Sequence, residues 1–289
     1  MDAPVNSLIR YRTLIIAIVV VMLTGCSSTK MAYRYADWGV VWWVEDYIPL
    51  TSEQQSQLNA DLDNLRQWHC STELPRYQAW LDELEADLTR GTPDVDTIEY
   101  HQSRLLGFVP DLLERATPVA VNLLQSLSDA QVEALAEAMA ENQRELEEEM
   151  LAGSAEETAA ARAERTRERV ERWLGNLNTE QEALVRSWSE NRGRQTQIWL
   201  EGRENWQRAL LSALEKRDSP AFEAQIRELI VHSERARGPE YQAMMQESQQ
   251  AMATLMHGLI EAGSDQHQDH LLARTDELNA DFGVLTCSS

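Results

Sequence analysis

Helical spacing runs through nearly the whole of this 289-residue chain, and no useful length of it alternates with the two-residue period of a strand. That property restricts the fold to the all-α class. We read an elongated bundle of seven to eight helices, long and joined by short turns. The first, 30–47, is very aromatic and ends near Pro49. The second covers 52–89 with Pro75 inside it; an interior proline costs ~3 kcal/mol, kinks the helix and leaves the carbonyl near Ser71 in need of another partner. Gly91-Thr92-Pro93 then stops one helix and opens the next, which passes through Val95, Ile98, Leu105 and Val109 and is bent or broken by Gly107, Pro110 and Pro118. Further helices are expected over 129–151, 154–175, 179–217, 220–262 (interrupted at Gly238-Pro239) and 265–281. Residues 155–169 hold hardly any large apolar side chain, which predicts a projecting or spacer segment. Along 179–217, Leu184, Trp188, Trp199, Trp206 and Leu210 read as one core-facing stripe, with Gly202 permitting close approach of a neighbour.

The N-terminus reads as an export signal. Arg10 and Arg12 supply a basic start, Leu14 to Leu23 an uncharged apolar core, and Leu23-Thr24-Gly25-Cys26 a cleavage site. A transmembrane helix is the competing reading, but it needs roughly 20 apolar residues. The tetrapeptide resembles the lipobox of bacterial lipoproteins, which implies that Cys26 receives diacylglycerol and becomes an acylated amino terminus. At ~0.8 kcal/mol per buried CH₂, two or three acyl chains make a lasting anchor where one is marginal. Ser27 stands where many enterobacterial inner-membrane lipoproteins carry Asp, so the resemblance implies the periplasmic face of the outer membrane. The chain thus divides into a leader, 1–25, and a single helical periplasmic-type domain, 26–289, with two sub-bundles meeting near residue 153.

Charge limits the partners. Removing Asp2, Arg10 and Arg12 with the leader leaves 24 basic and 47 acidic residues, a net charge of −23. Such a surface repels nucleic acid and anionic headgroups, so membrane attachment rests on lipid and apolar contacts. With only Lys30 and Lys216 as lysines, adaptation to salt explains the same composition without any partner. Once Cys26 carries lipid, Cys70 and Cys287 remain in an oxidising compartment, either as a disulfide or as a buried thiol and a free one.

Three helices open alike: Leu50-Thr51-Ser52-Glu53-Gln54, Leu127-Ser128-Asp129-Ala130-Gln131 and Leu177-Asn178-Thr179-Glu180-Gln181. Each has a capping residue followed three positions later by a glutamine able to reach back to the cap amide, and ordinary helix starts account for the pattern. It also resembles the LTxxQ element of small periplasmic chaperones and stress regulators of the Spy and CpxP kind. A broader series, Tyr35-Ala36-Asp37-Trp38, Trp42-Trp43, Asp46-Tyr47, Leu50-Thr51, Gln54, Trp68-His69 and Glu73-Leu74-Pro75-Arg76-Tyr77, resembles an uncharacterised family of proteobacterial lipoproteins. That resemblance covers most of the mature chain and implies a lipoprotein with no assigned reaction, cofactor or substrate.

The common nucleotide, metalloprotease, hydrolase and redox motifs are absent from the sequence. His267 and His270 with Asp265 and Asp269 offer metal-ligand types, but near a terminus such residues are usually solvated. Asp37, Asp46, His69 and Glu73 offer carboxylates and a base, though such groups more often cap helices or pair with Arg34 and Arg76. The expectation is a lipid-anchored envelope protein with a non-catalytic scaffolding or protein-binding role, needing no metal or cofactor. A chaperone-like binder of periplasmic or outer-membrane clients is the alternative, and a peptidoglycan-active enzyme the third. Interface candidates are Tyr35, Trp38, Trp42, Trp43 and Tyr47, with Tyr35, Trp38 and Trp42 on one helix face and Trp43 and Tyr47 turned partly away. One side of that helix is expected to pack near Trp68 and Tyr77, the other to meet headgroups or a protein partner.

Overall fold

A computed structural model describes residue 31 and residues 33–285, so the leader 1–25, Cys26 and Cys287 lie outside the described residues. Among the described residues every regular element is helical. Eleven helices follow in order: α1 (Ala36–Glu45), α2 (52–90), α3 (Val95–Leu106), α4 (Val109–Gln125), α5 (Asp129–Leu151), α6 (Ala155–Leu174), α7 (Thr179–Glu190), α8 (Gln195–Leu214), α9 (222–237), α10 (Pro239–Glu261) and α11 (Asp265–Val284). The all-α expectation holds, while seven to eight is too few.

The extra helices come from three breaks. The segment after Pro93 divides at Gly107-Phe108, and 220–262 divides fully at Gly238. The third break lies inside the expected 179–217 helix, where Asn191 ends α7 and Gly193 takes a φ of +48°, a left-handed value open to glycine at little cost. Its tryptophan stripe therefore serves two cores. Leu184 and Trp188 pack with Leu174, Val185, Leu255 and Leu259. Trp206 and Leu210 pack with Val121, Leu127, Leu135, Leu214, Phe222 and Ile226. This second core draws on chain from both sides of residue 153.

Pro75 is accommodated without a break. Residues His69–Glu73 form a π-turn, closed by the Leu74 amide donating to the His69 carbonyl, and Pro75 falls in the first turn of the resumed α-helix, where a missing N–H costs least. The Ser71 hydroxyl turns back to the carbonyls of Gln67 and Trp68 at 2.9 and 3.2 Å.

Helix α6 does not project. It packs against α7 and α11, and its Arg162 is buried, donating to the Ser189 carbonyl at 2.8 Å and the Thr196 hydroxyl at 3.0 Å. Burial and the neighbouring Arg165 and Arg192 pull its pKa below the ordinary arginine value, and the carbonyl end of α7 supplies the compensating negative potential. Small residues and one long cation do here what leucines do elsewhere. The last helix, α11, lies along the 74–90 part of α2, which brings the C-terminal end of the described chain back to an early helix.

The three capping boxes read from the sequence form, at Thr51, Ser128 and Asn178, and two more stand at Ser154, with Glu157, and at Ser264, with His267. Four of them meet in pairs. Gln54 Nε2 donates to the Ser126 carbonyl at 2.9 Å, and Gln131 Nε2 donates to the Pro49 carbonyl at 2.8 Å; each acceptor lies two residues before the other box's cap. The two amides also bond each other, at 2.7 and 3.2 Å, between two largely buried residues. The second pair repeats the scheme. His267 Nε2 lies 2.9 Å from the Asn176 carbonyl, two residues before Asn178, and Asn178 Nδ2 donates to Ala262, two residues before Ser264, at 2.8 Å. Gln181, fully buried, adds a 2.8 Å bond to the Leu259 carbonyl.

Candidate functional site

Helix α1 has apolar side chains on both faces. Its inner side presents Val41 and Val44 to Leu58 and Leu62 of α2 and Val119 and Leu123 of α4. Ile48, just past the helix, enters the main core. Ahead of it a helical turn reaches back to Met31, since the Tyr35 amide bonds the Met31 carbonyl at 3.1 Å.

The outer side is uncovered. Trp38 is 64% exposed, Trp43 56%, Tyr35 53%, Met31 51% and Val40 39%, values usual for lysines and glutamates rather than for three aromatic rings in nine residues. Trp42 is half-buried between the two sides. At about 100° per residue, the arc from Trp38 through Trp42 and Tyr35 to Trp43 and Val40 contains neither Asp37 nor Glu45, and its one carboxylate is the exposed C-cap Asp46. The inward side is thus formed by the valines, and of the residues that share the other face Tyr35 and Trp38 are exposed and Trp42 is half-buried. Branched aliphatic side chains fill the narrow space against α2 and α4, and indole rings at those positions would hold the helices apart. Tyr47 is half-buried, stacking at 5.3 Å on Trp43 and donating to Asn142 Oδ1 at 3.3 Å. No described helix is long and apolar enough to cross a membrane.

A groove of about 650 Å³ opens beside α1, between the start of α2 and the end of α4. Leu58, Val119 and Leu123 contribute its apolar lining, the same residues against which α1 packs from its own side. Glu53, Gln57, Asp61, Asn122 and Ser126 give it a polar, acidic rim, and the bonded pair Gln54 and Gln131 closes one end. Asn122 and Gln57 both donate to Asp61, at 2.9 and 3.0 Å.

Tyr33, and not one of the tryptophans, ties the front of α1 to the Trp68-Tyr77 region. Its hydroxyl donates to the Arg66 carbonyl at 3.2 Å and lies 3.2 Å from His69 Nδ1, while His69 Nε2 lies 3.2 Å from the Tyr77 hydroxyl. Burial lowers the His69 pKa from 6.5, with Glu73 opposing, and raises those of both tyrosines. Tyr77 continues the ring cluster to Phe108 at 4.7 Å and Phe282 at 6.1 Å. Glu73 is 1% exposed and held by Arg76 Nη1 at 2.8 and 2.9 Å, and Arg76 also reaches Asp111 at 2.7 Å. The residues weighed as a carboxylate and base set are therefore divided. His69 and Glu73 brace the α2 bend, whereas Asp37 and Asp46 belong to α1 and its end.

Cys70, beside this cluster, is disulfide-bonded, with its sulfur 3.9 Å from the Leu285 carbonyl. The chain's other cysteines, Cys26 and Cys287, are outside the described residues. The histidine pair near the C-terminus is put to other use: both ring nitrogens of His267 are engaged in the Ser264 cap and the Asn176 contact, and His270 packs against Gly175. No group of three metal-ligand residues occurs among the described residues. Reasoning from sequence found the capping glutamines but missed their pairing, because the signal, two boxes whose turns meet, exists only once distant segments are brought together.

A family model described as a family of unknown function, DUF6279, matches residues 46–242. The chain belongs to that family. No curated protein and no solved structure matches it.

Proposed function

We propose that this family member is a lipid-anchored envelope protein, held through Cys26 on the periplasmic face of the outer membrane, whose helical body is a non-catalytic scaffold that binds protein partners. The observation that carries the binding role is the groove between α2 and α4, whose apolar lining of Leu58, Val119 and Leu123 also receives the inner side of α1. An isolated exposed leucine means little, but contiguous apolar surface favours a covering partner. The groove's rim carries Glu53 and Asp61, which suits a polypeptide segment with apolar side chains flanked by basic ones.

The test is site-specific photocrosslinking in intact cells from positions 57 and 61 on the rim, with position 168 on α6 as control. The scaffold reading expects adducts to one or a few defined polypeptides from the rim positions alone. A full scan with no rim-specific adduct sinks it. The groove also favours a second reading, a chaperone-like binder of unfolded envelope clients, for which the same scan gives many heterogeneous adducts and the purified protein suppresses client aggregation.

A further inference from the structure

We infer that the outer arc of α1 rests on the surface of a lipid bilayer, with Trp38, Trp42 and Trp43 at the level of the headgroups. The inference rests on the lipid-anchor part of the proposed function and names what the aromatic face touches. Three observations favour a bilayer over a protein.

The first is reach. Met31, where the helical turn begins, stands five residues after Cys26. At no more than roughly 3.6 Å per residue that stretch spans about 18 Å, so an acyl group on Cys26 holds the start of this helical stretch within about 18 Å of the membrane. The second is chemistry. The arc is built of Trp, Tyr, Met and Val, with the C-cap Asp46 at its C-terminal end, and indole and phenol rings favour the boundary between headgroup and hydrocarbon, where one side is apolar and the other wet. The third is the rest of the molecule. A chain with a formal charge of −22 gains nothing from approaching anionic lipid through its general surface, which leaves uncharged aromatic contact as the means of settling on it. The valines on the inner side fix α1 to α2 and α4, so whatever orients the helix orients the bundle. At ten residues the helix is too short to span and lies along the surface.

The experiment uses the full chain, produced in a bacterial envelope, purified in detergent and reconstituted into phosphatidylcholine vesicles. Part of the lipid is brominated on the acyl chain close to the headgroup. Mass spectrometry of the N-terminal peptide reads the anchor, and quenching of tryptophan emission reads the docking. Three of the nine tryptophans lie on α1, so brominated lipid is expected to remove a minor part of the emission. The Trp38→Phe/Trp42→Phe/Trp43→Phe variant is expected to lose that quenchable part, with Trp173→Phe, an exposed residue of α6, leaving it unchanged. Trp38 and Trp43 are exposed, so the double variant Trp38→Phe/Trp43→Phe retains the fold, checked by an unaltered urea midpoint, and should lose most of the quenching. An acylated protein whose emission is indifferent to bromine overturns the docking and leaves the anchor standing. An unacylated N-terminal peptide overturns both. A photocrosslinker at position 43 that labels lipid supports the proposal, and one that labels another polypeptide or a second copy of this chain instead overturns it.

Discussion

Replacing Gln131 by Met tests whether the paired capping boxes hold the bundle together or merely start its helices. Met is close to Gln in length and helix propensity, so the substitution removes the amide and little else. Three hydrogen bonds are then lost: from the Ser128 amide at 2.9 Å and to the Pro49 carbonyl at 2.8 Å, both part-buried, and the buried one to the Gln54 side-chain oxygen at 2.7 Å. At about 1 kcal/mol net for each hydrogen bond lost, the total is about 3 kcal/mol. Glu157→Met provides the control. Ser154 and Glu157 form the same box on the exposed start of α6, where water replaces the lost bond, so the cost there is about 1 kcal/mol or less. Gln54→Met should cost about as much as Gln131→Met. The double variant should cost about 1 to 2 kcal/mol less than the sum, because the bond between the amides is lost only once and two methionines pack without stranding one another. Urea unfolding followed by far-ultraviolet circular dichroism measures all four. Strict additivity of the pair, or a Gln131→Met loss no larger than that of Glu157→Met, would refute the reasoning.

The remaining predictions concern other parts of the molecule. Because burial lowers the His69 pKa below its unfolded value of 6.5, His69 contributes stability that is fully present above that pH and declines as pH falls through it toward the lower folded value. Unfolding midpoints at about pH 7.5 and about pH 5.5 should therefore converge in His69→Gln relative to the parent, and an equal fall in both proteins contradicts the assignment. A Cβ on Gly202 meets the Tyr241 ring at 2.8 Å and Arg237 Cβ at 3.3 Å, so Gly202→Ala should cost about 1 kcal/mol net, overpacking outweighing better helix propensity. A raised thermal midpoint in that variant would show that α8 and α10 separate easily. Cys70 is expected to pair with Cys287, two residues beyond the Leu285 carbonyl beside its sulfur. Peptide mapping without reductant should recover the linked peptides, and recovery of Cys287 as a free thiol excludes the bridge.

Much of this architecture is legible along the chain because its helices are punctuated by side chains acting within three or four residues. Thr51, Ser128, Ser154 and Asn178 cap where their spacing to Gln or Glu says they should. What resists reading is any choice that depends on a distant partner. Helix α1 has apolar side chains on both faces, so periodicity cannot say whether Val41 or Trp42 faces in; the narrow space above Leu58 and Val119 decides. The tryptophan stripe from Leu184 to Leu210 conceals the turn at Gly193, since both halves are buried, each in its own core. Arg162 looks like one more solvated cation until the carbonyl end of α7 arrives beside it. His267 sits where only a capping role within its own turn, and a carbonyl from another, reveal its use.

The π-turn at His69–Glu73 also corrects a phase error. In an unbroken α-helix, Leu81 and Leu88 would stand roughly 100° and 80° around the axis from Leu62, putting one half of the buried stripe at right angles to the other. One extra residue in the turn winds the helix back by about 100°, and Leu58, Leu62, Leu74, Leu81 and Leu88 are all buried. The insertion thus works as a vernier between two lengths of sequence, each with its own register. Deleting Ser71, an exposed residue, would return the helix to an even pitch and swing Leu81 and Leu88 out of their buried positions on the part of α2 that packs with α11. By this geometry a one-residue shortening of the bend disturbs packing some 15 to 25 Å further along, where nothing has been substituted.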